Sequence, residues 1–176
     1  AWGLADSAAG TPNTVDTKFR LGSMNKIFTA VATLQLVEAG KLSLDVPIST
    51  WLPDYPNPEA AKKVTIRHLL THRAGIGESG FSDSPEFTTP AQFIARRDAM
   101  QTPADYVRQY AGQALAFEPG SQTEYSSLGF MVLGLLIEKA SGVSYYDYVQ
   151  KHVYDVAGMK DTGSLPETVP VAGRAV

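Results

Sequence analysis

The chain has 176 residues, 44% of them apolar, which is one domain's worth of sequence with enough hydrophobic material for a real core. Fifteen Lys and Arg stand against eighteen Asp and Glu, a net charge of −3 with no basic run or stripe, so the electrostatic footprint of a nucleic-acid binder is missing. The absence of cysteine removes disulfides, thiolate catalysis and Cys-based zinc sites together, and leaves the redox compartment open.

The first residues carry no basic stretch followed by an apolar one, so the chain as given shows no signal peptide, and a bacterial periplasmic, secreted or cytoplasmic location stays open. Residues 2–8 followed by Gly10, Pro12 and Asn13 predict a strand running into a loop. From Ser23 the apolar residues Met24, Ile27, Phe28, Val31, Leu34 and Val37 recur at spacings of three and four. That predicts a helix burying this face, stopped by Gly40. Four prolines make residues 42–58 irregular, and Thr65 then caps a short helix expected to run through His72 to a stop at Gly75. Residues 75–101 read as a long connection, the best candidate for an active-site flap or substrate loop.

Thr102, Pro103 and Asp105 supply an N-cap, a first-turn proline and an acidic partner, opening a helix to about Leu115. After the turn at Pro119-Gly120 comes the most apolar helix, 127–140, ended by Gly142. Its apolar core, 128–137, is about half of the ~20 residues a membrane span needs, so it reads as a buried core helix. Ser144 and Asp147 open a last helix toward Tyr154, with Tyr145, Tyr146, Tyr148 and Tyr154 as its packing face. About five helices, one or two strands and no internal repeat or linker leave a single domain over 1–176: an irregular helical domain, or part of an α+β protein.

Ser23 and Lys26 are the first residues with evident chemistry. On a helix, positions i and i+3 lie about 60° apart around the axis, so the Lys26 ammonium can reach the Ser23 hydroxyl. A serine is a poor nucleophile until a neighbouring base takes its proton, and a lysine can be that base. A helix start also directs backbone N–H groups at the place where a carbonyl oxygen becomes negative. Alone, Ser-x-x-Lys is a weak pattern that a helix cap and a solvated lysine explain as well. Tyr125, about a hundred residues later, stands between a Pro-Gly turn and the apolar helix, where its phenol could relay protons to Ser23; a tyrosine after a turn is otherwise a packing residue.

Four blocks in order extend this pair. They are Phe19-Arg20-Leu21-Gly22-Ser23-Met24-Asn25-Lys26, then Val64 to His72 with Ala74-Gly75-Ile76, then Phe117-Glu118-Pro119-Gly120 leading to Tyr125-Ser126-Ser127-Leu128-Gly129, and Gly158 to Thr162. Together they closely resemble the class C β-lactamase-like family, which takes in penicillin-binding proteins, family VIII esterases, D-aminopeptidases and DD-peptidases. The resemblance implies an acyl-enzyme on Ser23, with Lys26 and Tyr125 sharing the base role, acting on small esters or amides without metal or organic cofactor. It also implies an α+β fold of the β-lactamase/transpeptidase type, here mainly its helical region with most of the antiparallel sheet missing. The family's third motif, Lys-Thr-Gly or His-x-Gly, has no counterpart before Val176. An incomplete domain is therefore expected, partnered by its remainder or by a second copy. The family's Tyr-x-Asn here reads Tyr125-Ser126-Ser127; Ser127 can accept a hydrogen bond from Lys26 but has no amide to hold a substrate amide, which favours esters. A penicillin-binding sensor of the same fold without turnover is the alternative, as is an inactive fragment.

His68 and His72 have the i, i+4 spacing of zinc ligands, but no Glu follows His68 and no third ligand is evident. In the family resembled, this helix is structural. A Ser-His-Asp triad through His68, His72 or His152 lacks a Gly-x-Ser-x-Gly elbow and ranks behind the Ser-Lys-Tyr scheme.

Overall fold

The most apolar stretch of the sequence becomes the axis of the fold. In the computed structural model, which describes residues 1–77, 89–166 and 168–176, the elements run β1 (Leu4–Asp6), β2 (Thr11–Pro12), α1 (Asn25–Glu38), α2 (Pro58–Lys63), α3 (Ile66–Leu70), α4 (Pro90–Ala99), α5 (Pro103–Tyr110), α6 (Ser127–Ser141) and α7 (Tyr145–Val149). A single π-helical turn, Gln150–Tyr154, continues α7. Helix α6 is packed by α1, α3, α5 and α7. Its Leu128, Val132, Leu133, Leu136 and Ile137 are fully enclosed, each removing roughly 1.5–3 kcal/mol worth of apolar side chain from water. The sheet among the described residues is the antiparallel pair β1–β2, with Leu4 opposite Pro12 and Asp6 opposite Thr11. No single helix among the described residues is long and apolar enough to cross a membrane.

Local chemistry sets the helix starts. The Thr65 side chain accepts from the His68 N–H while His68 Nδ1 accepts from the Thr65 N–H, a reciprocal box at the head of α3. Thr102 and Asp105 do the same for α5, with Pro103 in the first turn. Ser126 caps α6 by accepting from Gly129 N–H, and Ser144 caps α7 by accepting from Asp147 N–H. Caps of this kind stabilise a helix by about 1 kcal/mol each.

Several sequence expectations need correction. On α1 the buried residues are Thr29, Ala32, Thr33 and Leu36, whereas Met24, Ile27, Val31 and Leu34 are 61, 59, 40 and 46% exposed. The helix is apolar on most sides, so periodicity could not choose a face; the small stripe packs closely on α6 and the large stripe faces outward, with Phe28 and Val37 packed at the core's margin. Helix α3 ends at Leu70, and His72, not Gly75, takes the left-handed terminating position at φ 56°. Helix α5 ends at Tyr110, with Ala111 as its C-cap, short of Leu115. Asn57 and Pro58 start α2, which the proline count had hidden. Pro90–Ala99 of the supposed connection is helical, and the part of the flap expectation that concerns residues 78–88 lies outside the described residues.

The stretch after α3 clasps the segment that leads into α6. Glu124 N–H donates to His72 O, Gly120 N–H to Arg73 O and Ala116 N–H to Gly75 O, and the Arg73 guanidinium donates to the Gly120 carbonyl. Gly75, at φ 69°, lies so close to Phe117 that an added Cβ would run into the Phe117 carbonyl. Gly40 has the same φ of 69° with open space around it. Gly40→Ala is therefore expected to cost only the left-handed backbone penalty of about 1–2 kcal/mol. Gly75→Ala is expected to cost more than that, and denaturant unfolding of the two variants side by side checks the difference.

Candidate active site

Gly22, at φ 54°, turns the chain into a short 3-10 turn, Gly22–Met24, that runs directly into α1. Ser23 lies in that turn and Lys26 in the first turn of α1. Tyr125 immediately precedes the Ser126 cap of α6, and Ser127 is the first residue of that helix. Docking α1 against α6 therefore joins two helix heads that are a hundred residues apart in sequence.

The structure brings all four sequence-predicted site residues together. Ser23 Oγ and Tyr125 Oη are 2.6 Å apart, and Lys26 Nζ donates to Ser23 Oγ at 3.3 Å. Lys26 Nζ also reaches Ser127 Oγ, at 3.5 Å the outer limit for such a bond. The ammonium sits 4.8 Å from the centre of the Tyr125 ring and 5.6 Å from that of Phe130, within range of cation–π attraction to both. Burial raises the Tyr125 phenol, but hydrogen bonds with Lys26, Ser23 and Ser127 and the Lys26 charge outweigh it. The phenol consequently sits below the usual tyrosine value. Ser23 and Tyr125 are both exposed, so the pair faces solvent. A cavity of about 230 Å³ opens beside Lys26, walled by Phe130, Met131, Tyr106 and Leu165.

Sequence reasoning passed over Asn25, which lies between Ser23 and Lys26. Its Oδ1 accepts from Tyr154 Oη and from Ser164 Oγ, each at 3.1 Å, and its amide donates to Tyr145 Oη at 3.3 Å. Tyr145 Oη also pairs with Thr29 at 2.8 Å, and Tyr154 Oη with Ser164 Oγ at 2.8 Å. This polar knot ties the head of α1 to α7, to the π turn and to the segment beyond it. The predicted tyrosine face does pack into the core, with Tyr145, Tyr148 and Tyr154 at 6, 7 and 0% exposure. The Tyr145 and Tyr154 phenols nevertheless serve α1, which no spacing rule in the sequence reveals.

The two histidines expected on one helix face are parted by the end of α3, with His68 inside the helix and His72 beyond it. His68 Nδ1 is used by the Thr65 N–H, His72 Nδ1 accepts from the Ser126 N–H at 3.1 Å, and no group of three or more His, Cys, Asp or Glu gathers among the described residues. His152 stacks on Tyr148 at 4.5 Å between ring centres.

The chain belongs to the β-lactamase family, whose model, described as Beta-lactamase, matches residues 1–175. Esterase EstB of Burkholderia gladioli is 39% identical over 170 residues, which is 93% of this chain and 42% of the esterase. Among solved structures, a penicillin-binding protein from Bacillus halodurans superposes with a TM-score of 0.81 at 38% identity, over 98% of this chain and 52% of its own. The D-amino acid amidase of Ochrobactrum anthropi SV3, complexed with D-phenylalanine, gives a TM-score of 0.78 at 31% identity, over 99% of this chain and 46% of the amidase. The chain thus spans about half, or less, of the length of these relatives. Its fold is the α+β β-lactamase/transpeptidase type, represented here mainly by the helical region.

If the Lys26 ammonium holds the phenol down, Lys26→Met removes both the hydrogen bond and the charge, and the Tyr125 phenol should titrate at higher pH. Ultraviolet absorbance titration, with Tyr125→Phe subtracted, is expected to show that upward displacement.

Proposed function

We propose that this chain carries the nucleophile and base of a serine hydrolase acting on small esters or amides. The observation that carries the reading is the convergence on one oxygen: Ser23 Oγ lies 2.6 Å from a phenol and 3.3 Å from an ammonium. Relatives named esterase and amidase, matched over nearly the whole chain, support the same class.

In this mechanism the pair starts as Lys26 ammonium and Tyr125 phenolate, and Ser23 Oγ attacks the carbonyl carbon as its proton passes to the Tyr125 oxygen. The carbonyl oxygen takes the negative charge, and the Ser23 backbone N–H at the head of the turn is one donor available to it. Collapse breaks the bond to the leaving alcohol or amine, which takes the proton from Tyr125. Water then gives its proton to Tyr125 and attacks the acyl carbon, and Ser23 leaves re-protonated. The lowered phenol suits this exchange, because a base is most effective when its pKa lies near the operating pH. The short Ser127 side chain offers no amide to a peptide substrate, which favours esters among the substrates.

Intact-mass analysis after a fluorophosphonate is expected to show a single adduct mapping to Ser23. Ser23→Ala should carry none, and equal labelling of that variant would overturn the assignment. Tyr125→Phe is expected to slow the labelling by about 10²–10⁴, the range ordinarily lost with a general base. A penicillin adduct that persists without hydrolysis would select the sensor form of the same site.

A further inference from the structure

His72 is the sole non-glycine residue at positive φ among the described residues. Its place is the one after the C-cap of α3, where a glycine ordinarily sits. His72 N–H donates to Leu69 O at 3.2 Å and Arg73 N–H to His68 O at 2.8 Å, the two bonds of a Schellman closure. A glycine would close this helix with less strain, so the β-carbon and ring at position 72 are kept against the local preference. Strain of this kind is grounds for asking what the side chain does.

What the residue does is hold the tyrosine segment from three sides, once through its backbone carbonyl and twice through its ring. His72 O accepts from the N–H of Glu124 at 2.9 Å, and Nδ1 accepts from the N–H of Ser126 at 3.1 Å. Between those two anchors, the imidazole stacks on the Tyr125 ring at 4.7 Å between centres and 30° between planes. Its centre also lies 5.2 Å from that of Phe130, the ring that faces the Lys26 ammonium on the other side. Residues 124, 125 and 126 are thus each bound to one histidine. Because Nδ1 accepts, the neutral imidazole carries its proton on Nε2.

We infer that His72 is the positioning residue for Tyr125: it fixes the phenol oxygen over Ser23 by gripping the backbone on both sides of the tyrosine and the face of its ring. This rests on the proposed acylation of Ser23, which it deepens. His72 does not touch the Ser23 hydroxyl, so its effect is on where the phenol stands rather than on any proton it moves itself.

Backbone and side-chain contributions separate cleanly at this position. His72→Gly relieves the left-handed strain and removes the ring with its bond to the Ser126 N–H, two opposing effects that should leave thermal stability little changed while Ser23 acylation slows. A misplaced phenol is expected to cost on the order of tenfold to a hundredfold in the maximal acylation rate, with little change in the concentration of ester giving half that rate. His72→Asn tolerates the left-handed conformation and offers Oδ1 in place of Nδ1, so it should recover most of the loss; His72→Leu should not. Wild-type acylation by His72→Gly, or His72→Asn as slow as His72→Leu, overturns the inference. Crystal structures of the wild type, His72→Gly and His72→Asn provide a reading that needs no turnover. The Tyr125 to Ser23 oxygen separation should lengthen in the glycine variant and return in the asparagine variant, and an unmoved phenol in His72→Gly also overturns it. Failure of the wild type to label at Ser23, with the phenol displaced in His72→Gly, would instead count against the hydrolase reading alone.

Discussion

Everything at the site depends on the close packing of α1 against α6. The buried stripe of α1 is small, Thr29, Ala32 and Thr33 with Leu36 further on, and α1 packs on α6, whose Leu128, Leu133, Leu136 and Ile137 are fully enclosed. Small residues at a helix contact let the axes approach, and a rigid close-packed interface transmits position along its length. The candidate site residues stand at the heads of these two helices, so their separation is a property of the interface. A change of a few tenths of an ångström there would be felt at a 2.6 Å contact.

Two polar assemblies finish what the apolar packing begins. One is the knot on Asn25, where Tyr145, Tyr154 and Ser164 hold the head of α1 from the side of α7. The other is the clasp of residues 72–75 on the segment 116–126, which holds the head of α6. Each acts on one of the two helix heads, and the clasp meets the Ser-Lys-Tyr set through the stack of His72 on Tyr125. Buried polar groups that are fully paired confer a single geometry rather than much net stability, which is what such a site requires.

The sequence made α6, the caps of α3, α5 and α7 and the four site residues legible, because each rests on a local rule or on a motif. Helix α1 was legible as a helix but not in its orientation: Met24, Ile27, Val31 and Leu34 obey helical spacing as well as the stripe that is buried. The true end of α3 was hidden because a histidine occupies a position that composition assigns to glycine. The partners of Asn25 and of His72 were not legible for a shared reason. They lie between about 50 and 140 residues away, and hydrogen bonds across such distances leave no periodic trace.

The π turn at Gln150–Tyr154 has a geometric consequence for the knot on Asn25. Nine residues separate Tyr145 from Tyr154, and on an uninterrupted α-helix that interval points two side chains to roughly opposite sides. The wider turn takes out part of the rotation, and both phenols arrive at the same amide. The extra residue in that turn works as a gear between distant parts of the chain. Winding the same residues as regular α-helix would leave a perfectly good helix behind, with one tyrosine swung away from the beginning of α1.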